Sequence, residues 1–163
     1  MINVIGDLLK RLFGKDAIDY DEAKTLAKHK DIKVRQEVAA RQDVKPEILY
    51  FLAEDPSPKV RRIVAANTAA PSHASVLLAK DSDHTVRGSL AKKIADLAPG
   101  LSADEQNKVH RMTYEALEIL ARDQVVRVRQ VLSEALKDVA GAPPGVIKGL
   151  ALDVEFIVSG PVL

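Results

Sequence analysis

An aspartate and an arginine recur six residues apart as Asp55/Arg61, Asp81/Arg87 and Asp123/Arg129. A planar guanidinium presents a fork of N–H donors that matches a carboxylate in two parallel bonds and also reaches turn carbonyls. Each arginine could meet the aspartate of its own turn or of the adjoining one, giving a structural ladder. Partly buried bonds of this kind are worth about 1.5–3 kcal/mol, and exposed ones far less. Catalysis needs one distinctive cluster, whereas this pattern returns along the chain. The four histidines, His29, His73, His84 and His110, form no HExxH pair and read as surface or turn residues. Asp104 and Glu105 are neighbours, so on a helix they point to different faces and suit its first turn better than a carboxylate dyad. There is no Cys, which removes thiolate metal sites, disulfides and a cysteine nucleophile together. No GxGxxG, Walker loop or GxSxG motif is present. The chain is therefore not expected to be an enzyme, and no catalytic residue, metal or cofactor is assigned.

The elements that must carry these pairs are legible in a repeated register. Leu-Ala begins each of five copies, at Leu26, Leu52, Leu78, Leu120 and Leu150, and a valine follows eight places on: Val34, Val60, Val86, Val128 and Val158. Arg35, Arg61, Arg87 and Arg129 come next in four of them. The apolar spacing reads as two short helices per copy. Pro46, Pro71 and Pro144 sit at or near the first turn of the first helix, where a missing N–H costs least. On the second helix the valine is followed four residues on by Val38, Val64, Leu90 and Leu132, one face at helical spacing. Next come Ala39, Ala65, Ala91 and Ser133, small enough to let neighbouring copies pack closely. One pair of short helices cannot bury its apolar face alone, so at least three must stack.

The string from Leu52 to Pro71, LAEDPSPKVRRIVAANTAAP, resembles the leucine-rich repeat variant and, more broadly, HEAT-like repeats. From about residue 20 onward the chain is similar to a bacterial HEAT-like family of unknown function. The resemblance implies an all-α, right-handed solenoid of about five two-helix repeats, with the second helices lining the concave side. It carries no activity. The cysteine-bound cluster module of some leucine-rich repeat variant proteins is excluded by the lack of Cys. One domain is expected over 1–163: a capping helix in 1–18, three copies in 19–98 and two in 99–163. Two departures fall on the outer copies, where His29 stands in the aspartate place and Ser159 in the arginine place. About sixteen extra residues separate copies three and four. There Pro99-Gly100 ends one helix, Ser102 and Glu105 read as a capping box, and the next helix could run from Ala103 to Arg122. A bend or widened groove is expected at that point.

Composition bounds what the fold could serve. The 163 residues are 47% apolar and 29% charged, enough for a sizeable core. Only six residues are aromatic, so the core must be aliphatic. With 24 basic and 23 acidic residues, the net charge of +1 gives no general pull toward nucleic acid or membrane. No run approaches a spanning helix and no secretory signal is present, so a cytoplasmic location is expected. Charge is nonetheless segregated. Windows 32–41, 57–67, 83–93 and 125–135 hold eleven basic and three acidic residues, leaving thirteen against twenty elsewhere. On the second helices Lys33, Gln36, Lys59, Arg62, Lys92, Arg127 and Gln130 share a face. This face is either ordinary solvated surface or a basic groove. As a groove it would hold an acidic peptide or helix, making the protein a binding scaffold. The alternative is a nucleic-acid binder, and some HEAT-like proteins do hold DNA this way. Against that stand the balanced charge and scarce aromatics: apart from Phe156, only Tyr50, Phe51 and Tyr114 could stack, and Tyr50 and Phe51 read as core or hinge packing.

The two ends complete the reading. Ile2, Ile5, Leu8, Leu9 and Leu12 fall on one helical face, either capping the first copy or lying on a membrane surface. Phe156, Ile157, Val158, Val162 and Leu163 form an apolar finish that a further repeat of a longer protein, or a second copy as a dimer, would cover.

Overall fold

A computed structural model describes residues 4–97 and 108–163. Ile2, the Pro99-Gly100 break, Asp104 and the Ser102/Glu105 capping box lie outside the described residues. Those residues form eleven α-helices and no strand. In order they are α1 (Val4–Phe13), α2 (Tyr20–Leu26), α3 (Ile32–Ala40), α4 (Pro46–Leu52), α5 (Pro58–Ala66), α6 (Ser72–Ala79), α7 (His84–Leu97), α8 (Lys108–Ala121), α9 (Val126–Leu136), α10 (Pro144–Ala151) and α11 (Phe156–Ser159). A short 3-10 turn follows at Gly160–Val162. The five Leu-Ala registers close α2, α4, α6, α8 and α10, and the valine registers fall in the helices that follow.

Local chemistry explains the boundaries. Proline occupies the first turn of α4, α5 and α10 and the N-cap of α6, costing no intrahelical bond. Asp19 and Glu22 close a reciprocal capping box at the start of α2, where the Glu22 backbone N–H donates to Asp19 at 2.9 Å and the Asp19 N–H to Glu22 at 2.8 Å. Asp31 caps α3 by accepting from the Lys33 N–H.

Packing follows the sequence pattern. Helices α3, α5, α7, α9 and α11 pack each on the next, and α6, α8 and α10 do the same. Val38, Val60, Val64, Val86, Leu90, Leu132 and Val158 are fully buried between them, as are Ala39, Ala65, Ala91 and Ser133. Ser133 sits where the others have alanine, and its hydroxyl donates to the Val158 carbonyl at 2.5 Å, tying α9 to α11. Asn67, which is buried, makes a second tie. Its amide donates to the Ala39 and Arg41 carbonyls at the end of α3, both at 2.8 Å, and its oxygen accepts from Gln42 and the Ala69 N–H. These are carbonyls that a helix C-terminus leaves without intrahelical donors.

Three expectations change. On α1, Leu8 and Leu12 enter the core against α3, but Ile5 is half exposed. Phe51 does not pack inside: it is 47% exposed, whereas Tyr50 is half-buried against His73 with ring centroids 4.5 Å apart. At the other end Val158 belongs to the core, while Leu152, Val154, Phe156 and Leu163 are exposed. Of that string Val158 is buried and Val162 half-buried where α11 and the 3-10 turn pack on α9, while Phe156, Ile157 and Leu163 stay exposed.

Candidate functional site

Copies two to five turn between their two helices on the aspartate. Its carboxylate accepts the backbone N–H two residues on, at 2.9 Å in every case: Ser57 to Asp55, Asp83 to Asp81, Val125 to Asp123 and Glu155 to Asp153. The same carboxylate receives an arginine from the preceding copy in a two-pronged bond. Arg35 Nε donates to Asp55 at 2.7 Å, Arg61 Nε to Asp81 at 2.6 Å, Arg87 Nε to Asp123 at 2.5 Å and Arg129 Nε to Asp153 at 2.6 Å. In each pair the second amino group bonds the other carboxylate oxygen. The third nitrogen turns back to its own copy, donating to the carbonyls of His29, Asp55, Asp81 and Asp123.

Of the two pairings the sequence left open, the adjoining turn takes the carboxylate and the arginine's own turn supplies a carbonyl. Arg35 and Asp153, which the recurring trio omits, are the outer members of the ladder. His29 does half of the aspartate's work: its Nδ1 accepts the Asp31 N–H at 3.1 Å, holding the turn, while Arg11, the arginine before it, pairs with Glu22 instead. Arg87 makes the same bonds as the other three arginines, although about sixteen extra residues separate its copy from that of Asp123.

All four carboxylates are more than nine-tenths buried at the side chain. The hydrogen bond from Arg129 holds the Asp153 carboxyl below its ordinary range, against the opposing pull of desolvation. The reciprocal bonds raise the affinity of Arg35, Arg61, Arg87 and Arg129 for their protons. These arginines are satisfied and internal, and they present little charge to a ligand.

The outward charge comes from their neighbours. Arg62, His84, Thr85, Gly88, Ser89, Lys92, Arg127, Val128 and Val131 line a cavity of about 310 Å³ spanning α5, α7 and α9. A second, of about 290 Å³, shares Arg62 and Ser89 and continues past Ile63 and Ala66 to Ala40 and Gln42 at the end of α3. Together they make one trough along the second helices, and no carboxylate lines either part. Arg62 and Lys92 are exposed and enter no ion pair among the described residues. Arg127 donates to Gln130 at 2.9 Å.

Of the seven residues assigned to one face, Arg62, Lys92 and Arg127 come together around this cavity. Gln130 adjoins it through Arg127. Lys33, Gln36 and Lys59 lie outside its lining: Lys33 and Lys59 are exposed near the starts of α3 and α5, and Gln36 is half-buried on α3. His84, Thr85, Gly88 and Ser89 were passed over by the charge count because none carries a fixed charge. Aligning copy three on its neighbours would have found Gly88, which stands where the others have Gln36, Arg62 and Gln130.

Elsewhere, Lys93 is buried on α7, and desolvation lowers its pKa to about 8. No group of three or more His, Asp or Glu among the described residues could hold a metal ion, and no described helix is long and apolar enough to cross a membrane. No protein-family model matches the chain, and no curated protein matches it.

Proposed function

We propose that this protein is a non-enzymatic binding scaffold, a right-handed HEAT-like α-solenoid whose second-helix trough holds an acidic segment of a partner protein in the cytoplasm. The observation that carries the reading is the convergence of Arg62, Lys92 and Arg127 on one cavity that no carboxylate lines. Internal pairing explains why the cations there are available. The ladder aspartates Asp81 and Asp153 are taken by Arg61 and Arg129, so they do not neutralise the next residue, Arg62, or the residue two before Arg129, Arg127. Ile63, Val128 and Val131 beside those cations suit a segment that mixes acidic with aliphatic side chains.

Reversal of Lys59, Arg62 and Arg127 to Glu is expected to abolish binding of acidic peptides while leaving the melting temperature close to wild type, since all three are exposed. Isothermal titration with an acidic twelve-residue peptide checks this. Retained binding by the folded triple variant removes the reading. Duplex binding that falls steeply with salt would instead favour the nucleic-acid alternative.

A further inference from the structure

Two places recur on the second helices, seven and ten residues after the copy's leucine, and Arg62, Thr85, Gly88 and Arg127 at these places line the trough. In copies one to four the first holds Lys33, Lys59, Thr85 and Arg127 and the second Gln36, Arg62, Gly88 and Gln130, while copy five has Ile157 and Gly160. Copy three alone has short residues at both. Glycine inside a helix costs roughly 0.5–1 kcal/mol relative to alanine, and nothing in the fold requires it at this place. Gly88 is not in the left-handed region, and a Cβ built on it meets no atom within 4 Å. What Gly88 provides is room. It lines the cavity together with the Thr85 and Ser89 side chains and with Arg62, Lys92 and Arg127, at the spot where a copy-two or copy-four side chain would project.

We propose that this notch is a subsite for a phosphorylated serine or threonine on the partner peptide. The inference rests on the scaffold reading and narrows its ligand. Charge decides the class. Three cations without a carboxylate partner border the notch, and a single carboxylate would leave two of them uncompensated. A phosphoryl group carries about −1.5 to −2 charge near neutral pH and offers three acceptor oxygens. Arg62 and Arg127 supply forked donors, Lys92 a point charge and Ser89 a hydroxyl for a remaining oxygen, while the Thr85 hydroxyl donates to Asp83 at 2.6 Å. A polynucleotide fits less well, because its phosphates recur at a fixed step and call for a row of cations. At the ten-residue place copies one and four offer neutral Gln36 and Gln130, and the ladder arginines are occupied by aspartates.

The test is fluorescence anisotropy on the full chain with labelled nine-residue peptides. They are neutral except for a central phosphoserine, glutamate or serine, and are run beside an acidic peptide and a single-stranded oligonucleotide. The phosphoserine peptide should bind at least tenfold tighter than the other two. Gly88→Gln, which refills the notch with the residue of copies one and four, should weaken it at least tenfold, and Gly88→Ala should keep it. Should Gly88→Gln fail to fold, the exposed Lys92→Gln carries the same expectation. Equal binding of the phosphoserine and glutamate peptides overturns the subsite. The scaffold reading survives that result if the acidic peptide still binds and the triple charge reversal abolishes it. Binding by none of the peptides overturns both. Tighter binding of the oligonucleotide, lost in Gly88→Gln, overturns the phosphopeptide in favour of nucleic acid.

Discussion

Arg87 illustrates what one residue does in this chain. Its three donor nitrogens bond a carboxylate of the next copy and a carbonyl of its own, in a place where its side chain is 8% exposed and that of Asp123 5%. Removing one partner of such a buried pair leaves the other charged and unsolvated, which costs about 3–5 kcal/mol. Arg61→Ala and Arg87→Ala should therefore both lower the urea midpoint, with Arg87 the more costly because its pair is better buried. If both variants melt like wild type while peptide binding is lost, the arginines serve the ligand instead. Lys93 makes the opposite case, a cation buried without an ion pair among the described residues. Its pKa falls from 10.5 to about 8. Between those values the unfolded chain binds the proton more tightly, so stability rises with pH by up to roughly 3 kcal/mol. Urea midpoints of wild type should gain on Lys93→Met at pH 8 as the pH is raised to 10. A difference that stays flat over that range would show that the ammonium is solvated.

At the scale of the element, contacts between second helices combine an aliphatic seam with one polar tie. Asn67 fastens the C-terminal end of α3 through two donor bonds and one acceptor bond, with a fourth bond to its own turn at Ala69, in a position that is Arg41 in copy one and Lys93 in copy three. Arg41 also reaches back, donating to the Asp16 carbonyl at 2.8 Å. Asn67→Ala would leave buried carbonyls without donors and should cost about 2–3 kcal/mol. Thermal melts that shift by no more than a degree would mean that water replaces the amide. Helix α4 closes at the same Leu-Ala register as α6 and α8, yet it leaves Phe51 outside, with the Lys28 ammonium 5.8 Å from its ring centroid.

For the whole molecule, the consequence of ties between successive copies is that stability is distributed along the chain rather than pooled in one centre. Arg87 spans the longest sequence interval of the four, from α7 to the turn after α8. Its loss should loosen α8–α11 from α3–α7 more than it loosens either part internally. Hydrogen exchange on Arg87→Ala should then show amides of α8–α11 losing protection ahead of those of α3–α5. Uniform loss across all helices would mean that the chain opens as one unit.

The repeated Leu-Ala and valine registers, read with proline placement, were sufficient to identify the helices, their pairing along the chain and the buried face, because a 3.6-residue period and small-residue spacing are properties of the chain itself. The Asp/Arg pairs were legible as a ladder for the same reason. The direction of that ladder was not, since an arginine's reach covers both its own turn and the next, and only the packing of one copy on another decides between them. The exposure of Phe51 and the burial of Val158 likewise depended on which faces neighbouring helices cover. The trough itself belongs to tertiary structure: Lys33, Lys59 and Arg127 are equivalent in register, yet Arg127 alone of the three borders the cavity, because the space beside it is left by Gly88 on another helix.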